Sequence, residues 1–401
     1  MQFFYFFLGV YAIYFCATLL ISFLQINYIL KAKNHQELLL SSEDWQKAAD
    51  YAITREKFAT LSLLFSTIIA VLWIVFAFNY IESFINIESL ALKSAIIFAI
   101  FFAINSIIEL PLNFYETFVI DGKFGFNNST HKLFFTDFVK SLILSIGIAF
   151  FAVWIVSKII LSLGENWWII TFFFLSVLLI VLNMLFPLFR KLFDKFEPLD
   201  NTEIGAQIKN LLDRVGFKAE GVYKVDASKR DARLNAYFAG LGKIKRVALY
   251  DTLLDKLTHP EIIAVLAHEL GHFKHRDIFK QMTAVLIALF AILLIFGNAN
   301  HELFTAFNLS DSPQSLILLF LIFSSPLFFF CSPIFNLISR NAEFGADKFA
   351  AETTNADDLK SALIKLVREN RSFPKKHLIY AIWNETHPNV LDRIERLENV
   401  R

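Results

Sequence analysis

Seven runs of apolar residues divide the chain, at about residues 3–27, 59–80, 89–111, 141–163, 167–188, 278–298 and 315–338. Each is long enough for a helix that crosses a bilayer core, which takes about 20 residues. The pattern predicts an all-α polytopic membrane protein with seven transmembrane helices. The polar stretches between the runs are of two kinds. Those at roughly 81–88, 164–166 and 299–314 are short and contain no Lys or Arg. The segments 28–58, 112–140, 189–277 and 339–401 hold nearly all the basic residues. This asymmetry predicts an outside N-terminus and puts the long segments on the cytoplasmic side. Lys93 and Lys158, near the outer ends of their spans, run against it.

The expected organisation follows from these runs. Residues 1–188 hold transmembrane helices 1–5, with cytosolic segments 28–58 and 112–140. Residues 189–277 form the largest cytosolic segment, 278–338 hold helices 6–7, and 339–401 form a cytosolic C-terminal segment. Within 189–277 the pattern predicts an interfacial amphipathic piece at Phe189–Phe196 and a helix around Thr202–Val215. A β-hairpin follows, with strands Arg233–Ala239 and Ile244–Tyr250 joined by Gly240-Leu241-Gly242-Lys243.

Composition agrees with the pattern. Of 401 residues 56% are hydrophobic, 47 are Phe and only 19% are charged, against about a quarter charged in soluble domains. A net charge of +1 gives no reason to expect nucleic acid. The two cysteines, Cys16 and Cys331, lie in apolar runs and form neither a disulfide framework nor a Cys-type zinc site. No Lys or Arg precedes the first run, which is too long for a cleavable signal.

Chemistry concentrates in Thr258–Asp277, THPEIIAVLAHELGHFKHRD. A helix is expected to start at Thr258 or His259, with Pro260 in its first turn and Glu261 complementing its dipole. His268-Glu269-Leu270-Gly271-His272 sets two imidazoles on one helical face, where both can reach one tetrahedral cation. Glu269 is then the base for an attacking water. A catalytic zinc site needs a third protein ligand and an open position. The extended metzincin motif is excluded, because His275 and Ile278 stand where it needs Gly and His. Of the downstream carboxylates, Glu302 lies in an outer loop, whereas Glu343 follows the seventh run and returns to the inner side. Glu343 is the expected ligand. Asp347, one turn later on the same face, is expected to hold a ligand imidazole.

HELGHFKH and SRNAEFGADKFA resemble the integral-membrane zinc proteases of the type I CAAX prenyl endopeptidase family. So do KRDARLNAYFAGLGKIKRVALYDTLL, THPNVLDRIERL, YETFVIDGKFGFN and FPLFRKLFDKFEPL. The resemblance runs from about residue 110 to the end. It implies helices forming a barrel around a large water-filled chamber, with one Zn2+ at its cytosolic end held by His268, His272 and Glu343 and with Glu269 as base. It also implies that Asn235 and Ala236 of NAYF line the peptide site, and that His387 and Arg393 face the substrate side of the metal. His387 can donate to the oxyanion of the attacked carbonyl. Apart from the resemblance, His387 reads as a helix-entry residue before Pro388, and Arg393 as a solvated charge beside Asp392 and Glu395. THPN here replaces the more frequent double proline of the family.

The expected activity is zinc-dependent endoproteolysis near the C-terminus of prenylated, lipidated or hydrophobic peptides, the family's substrates being cut just after the lipid-bearing cysteine. Membrane-protein quality control is one alternative, and a non-catalytic seven-helix zinc-binding receptor or transporter another. The expected partners are a peptide or lipidated-protein substrate and membrane lipid, with the chain acting as a monomer. The expected location is a bacterial inner membrane with the site facing the cytoplasm, the endoplasmic reticulum being the alternative.

Overall fold

Where each apolar run ends as a helix depends on the caps beyond it. A computed structural model describes residues 2–35, 39–239, 245–299 and 301–399. Helix α1 (Gln2–Ala32) is followed by α2 (Ser42–Leu72), capped by the Ser41 hydroxyl. A π-helical turn, Trp73–Ala77, leads to α3 (Phe78–Phe84). Then α4 (Leu90–Phe114) passes into a second such turn, Tyr115–Asp121. The pair α5 (His131–Leu163) and α6 (Trp167–Arg190) meets at Gly164, whose φ of 52° suits glycine alone.

Among the described residues, six helical segments are long and apolar enough to cross a membrane: Gln2–Ala32, Ser42–Phe84, Leu90–Asp121, His131–Arg190, Asp277–Gly297 and Pro313–Thr353. The runs expected at 141–163 and 167–188 both fall within His131–Arg190. That segment doubles back on itself. Lys140 Nζ donates to Leu192 O at 2.8 Å, and Arg230 bonds both Asp137 and Asp194. A straight helix would hold Lys140 and Leu192 about 80 Å apart. The three loops lacking Lys and Arg gather at one end. Gln314 Nε2 donates to Glu82 Oε1 at 2.8 Å, Asn79 to Asn308 O at 2.8 Å, and Trp168 lies against Gly297.

The segment between α6 and the next long apolar helix contains β1 (Phe196–Pro198), α7 (Glu203–Val215), β2 (Gly221–Val225), β3 (Ala236–Ala239), β4 (Arg246–Tyr250) and α8 (Asp251–Lys256). The expected hairpin is therefore half of a four-stranded sheet of order β1-β2-β4-β3. Its strands are shorter than expected, and residues 240–244, which include the turn and Ile244, lie outside the described residues. β3 runs antiparallel to β4 (Ala236↔Leu249), β2 parallel to β4 (Gly221↔Arg246), and β1 antiparallel to β2 (Phe196↔Val225). β3 is an edge strand. The interfacial piece expected at Phe189–Phe196 is not one element: α6 ends at Arg190, a turn follows, and β1 starts at Phe196. Tertiary bonds override its amphipathic pattern, since Arg230 Nη2 donates to Phe193 O at 2.7 Å and Asp226 Oδ1 accepts from Lys195 N at 2.6 Å.

Helix α9 (His259–Lys274) is followed by α10 (Asp277–Gly297), α11 (His301–Ala306), α12 (Pro313–Thr353), α13 (Ala356–Glu369), α14 (Leu378–Asn384) and α15 (Val390–Glu398). Ile262, Ala264, Leu266, Ala267 and Leu270 of α9 are buried on several sides, in one core with α7, the sheet and α13. A 41-residue helix such as α12 is about 60 Å long, twice a bilayer core. Its last turns therefore extend beyond the apolar run and bring Glu343 to α9.

Candidate metal centre and active site

The α9 helix is fixed at its start and along its length before it presents any chemistry. Thr258 caps it in a reciprocal capping box with Glu261, and Pro260 occupies its first turn. Glu261 is buried and also accepts from Ser361 Oγ at 2.6 Å and Lys365 Nζ at 2.7 Å of α13. Burial opposes its charge, but these bonds outweigh burial and lower its carboxyl to about 2. The crossing with α12 is close. A Cβ at Gly271 would stand 2.8 Å from Ala346 Cα, so only glycine permits this approach.

The approach brings His268, His272 and Glu343 together, with one ligand atom of each within 4.8 Å of the others. His268 Nε2 lies 3.4 Å from Glu343 Oε2, and His272 Nε2 lies 3.2 Å from Oε1. Each histidine has a carboxylate on its other nitrogen. Asp347 Oδ1 is 2.9 Å from His268 Nδ1, and Asp277 Oδ2 is 3.1 Å from His272 Nδ1. Such partners fix the ring and raise its basicity toward a cation on Nε2. Burial disfavours a charged His268, but Asp347 and Glu343 outweigh it and raise the imidazole to about 9. His272 is also raised, with Glu343 overcoming its burial.

This donor set fits a zinc ion. Two imidazoles and one carboxylate converge, and Glu343 Oε2 is buried without a hydrogen bond. Arg393 Nη1 approaches that oxygen to 3.0 Å, as an ion pair lacking hydrogen-bond geometry. Arg393 itself is buried, and its Nε and Nη2 donate to Asp347 at 2.8 and 2.6 Å. Burial lowers its basicity, yet Asp347 and Glu343 raise it on balance. Arg393 is thus no solvated helix charge. His387 is 62% exposed, with Nε2 3.3 Å from Glu343 Oε1 and Nδ1 3.0 Å from the Thr386 hydroxyl. It does not cap α15; Asn389 does.

A cavity of about 1580 Å³ opens on this cluster, and Asn235, Ala236, Glu269, His387 and Arg393 line it. Asn235 immediately precedes β3, and Ala236 is its first residue. Glu302 belongs to α11, at the opposite end of the α10 and α12 helices.

Residues 198–401 of this chain match Peptidase family M48, and residues 25–195 match the CAAX prenyl protease N-terminal region of five membrane helices. The chain belongs to peptidase family M48. It is an integral, multi-pass membrane metalloendopeptidase. Among its relatives is the CAAX prenyl protease 1 homolog of Caenorhabditis elegans, 30% identical over 397 residues, with 91% of this chain and 90% of that protein covered. The human CAAX prenyl protease 1 homolog is 33% identical over 339 residues, covering 73% of this chain and 70% of that protein. The crystal structure of S. mikatae Ste24p superposes with a TM-score of 0.90 at 28% identity, covering 98% and 99% of the two chains.

Three residues of this M48 site escaped the sequence pattern. Asp277 lies five positions after His272, outside helical pairing distance, because α9 ends and Arg276 turns the chain with φ 56°. Asn336 and Arg340 lie upstream of Glu343 on α12. Asn336 Nδ2 donates to Ile382 O and Trp383 O, and Arg340 Nη1 to Ala381 O. They hold the end of α14 just before His387. Their spacing of seven and three residues from Glu343 was the available signal.

Proposed function

We propose that the chain is a zinc endopeptidase of the CAAX prenyl protease type, cutting near the C-terminus of prenylated, lipidated or otherwise hydrophobic peptides. One observation carries this: two carboxylate-supported histidines face Glu343, while Glu269 lines the adjoining cavity. In this reading His268, His272 and Glu343 hold one Zn2+ per chain. When bound, zinc supplies Lewis acidity, polarising the scissile carbonyl and making water a nucleophile near neutral pH.

The side chains have distinct tasks. Glu269 takes a proton from the attacking water and returns it to the leaving amine. The free edge of β3, with Asn235 and Ala236 at its start, pairs with an extended peptide through main-chain bonds, a mode with little side-chain demand. When the Thr386 hydroxyl donates to Nδ1 across their 3.0 Å contact, His387 carries its proton on Nε2, available to a developing oxyanion. Arg393 holds Asp347, and Asp347 orients His268.

The membrane part is read as seven crossings, counting the α5–α6 hairpin as two, around one chamber. In support, the 1580 Å³ cavity shares Arg233, Asn370 and Lys376 with a second of about 750 Å³. The second shares Thr18, Phe58 and Glu116 with a third of about 710 Å³ between the membrane helices. Such a space suits water and a lipid chain. The charge asymmetry supports a site facing the cytoplasm, in a bacterial inner membrane or alternatively the endoplasmic reticulum.

Purified Glu269→Gln protein tests the reading. It should retain zinc by elemental analysis and cleave a farnesylated peptide at least about a hundredfold more slowly. Wild-type protein that holds zinc but cleaves neither prenylated nor unprenylated peptides would point to a receptor or transporter instead.

A further inference from the structure

The 750 Å³ cavity carries a charge that its own walls leave unsatisfied. Arg55, Arg233, Arg371 and Lys376 line it against Glu56 and Glu116. Arg55 pairs with Glu116 at 3.2 Å, Arg233 with Asp121 and Asp231, and Lys376 with Glu385 at 3.0 Å. Arg371 differs. Among the described residues its guanidinium has no carboxylate and no hydrogen-bond acceptor, and it lies 5.3 Å from the ring centroid of Phe126. Its backbone also has φ 46°, a left-handed conformation unfavourable for a residue with a side chain.

Its place relative to the peptide edge follows from Asn370. The Asn370 amide accepts from Leu234 N at 2.8 Å and donates to Leu234 O at 3.2 Å. That clamp closes the N-terminal end of the β3 edge. A peptide paired antiparallel to β3 carries its C-terminus toward this end. Arg371 follows the clamp directly, and its neighbours Asn370 and Ser372 line both cavities. At about 3.3 Å per extended residue, a carboxylate three residues beyond the cut lies about 10 Å past the reacting carbonyl.

We propose that Arg371 binds the C-terminal carboxylate of the peptide and is a specificity residue that reads where the chain ends. The proposal rests on the prenylated-peptide reading above. A guanidinium without an internal partner matches a carboxylate in both charge and forked geometry.

The test compares a farnesylated peptide bearing a free C-terminal carboxylate with its C-terminal amide, using the full chain in detergent. Wild type should show a KM about tenfold lower for the acid, the size of one charged hydrogen bond, with similar kcat for both. Arg371→Leu should raise KM for the acid to that of the amide and leave the amide unchanged. Arg371→Gly relieves the backbone while removing the cation, and should behave as Arg371→Leu does. Arg371→Lys should restore part of the discrimination. Equal KM for acid and amide in wild type, or equal losses on both substrates in the variants, overturns the anchor but leaves the protease reading intact. Failure of wild type to cleave either peptide overturns both. The same cation can take a lipid phosphate. Indifference to amidation, with inhibition by phosphatidylglycerol that Arg371→Leu abolishes, overturns the anchor in favour of lipid.

Discussion

Arg340 Nη1 donates to the carbonyl of Glu385 at 2.8 Å, tying the helix that carries Glu343 to the turn that carries His387. Asn336 satisfies the carbonyls of Ile382 and Trp383, which the end of α14 leaves without helical partners, whereas the Ala381 carbonyl that Arg340 reaches also accepts from Glu385 N. Asn336, Arg340, Glu343 and Asp347 share one face of α12. A single helical face therefore positions Glu343, the carboxylate behind His268 and the turn bearing His387. Arg340→Ala should keep its zinc and lose about ten- to a hundredfold in kcat, less than outright loss of an oxyanion donor. In a His387→Ala background the same change should add little, because both act through one group. Independent, multiplying losses in kcat would sink this assignment.

Metal content should follow topology. Glu343→Ala leaves two imidazoles and should lose most of its zinc, whereas Glu302→Ala should keep it. Elemental analysis of the purified variants decides. Zinc retained in the first and lost in the second would invert the choice of ligand.

The apolar runs were legible because a bilayer requires every backbone group to be paired within a helix, which makes the hydropathy signal long and continuous. The convergence of the H-E-x-x-H face with Glu343 was legible because helical spacing is written in local pattern and two consecutive apolar runs lead the chain away and back. Helix ends were not. α12 continues to Thr353 on polar residues that hydropathy does not count. β1 and β2 are three and five residues long and are specified by partners distant in sequence. Asp277 was missed, and Arg393 was singled out only by resemblance while its sequence neighbours suggested a solvated charge, for a related reason. Their meaning lies in contacts across a helix break and between α12 and α15, where no period in the sequence records them.

Gly271 should be intolerant of even a methyl group. The added Cβ would meet Ala346 Cα, a backbone atom that cannot rotate away. Gly271→Ala should cost about 1–3 kcal/mol of stability, as overpacking does, and should weaken zinc binding by separating α9 from Glu343. Thermal unfolding and zinc titration measure both. Rescue of the variant by Ala346→Gly would show that the methyl, not the backbone, is the contact that matters.

Glu261 should give the packing of α9 on α13 an acid-sensitive stability. Its folded carboxyl is lowered from 4.5 to about 2, so it binds its proton more weakly folded than unfolded. Its stabilisation, about 3 kcal/mol, is complete above pH 4.5 and is lost as pH falls toward 2. The difference in unfolding free energy between wild type and Glu261→Gln should be constant from pH 7 to 5 and shrink below 4.5. A difference independent of pH would mean that Gln is simply packed less well.

Asp277 and Asp347 stand behind the two histidines in similar geometry, yet their replacement by Asn should have different consequences. Both variants should weaken zinc binding by about ten- to a hundredfold, because each removes the carboxylate that orients an imidazole and raises its basicity. Their stabilities should part. Asp277 shares its charge with Lys280 at 2.8 Å, and Lys280 is 58% exposed, so water can solvate the ammonium that Asp277→Asn releases. Asp347 balances Arg393, which is only 7% exposed and whose other ion pair is with Glu343. With Glu343 committed to the metal, Asp347→Asn strands a buried guanidinium, at a cost of about 3 kcal/mol or more. Asp347→Asn should therefore unfold at clearly lower temperature than Asp277→Asn, with or without a chelator. Replacing Arg393 by Met in the Asp347→Asn background should recover stability but not zinc affinity. If the two single variants unfold together, Arg393 is solvated and the buried Asp347–Arg393 pair does not support the site.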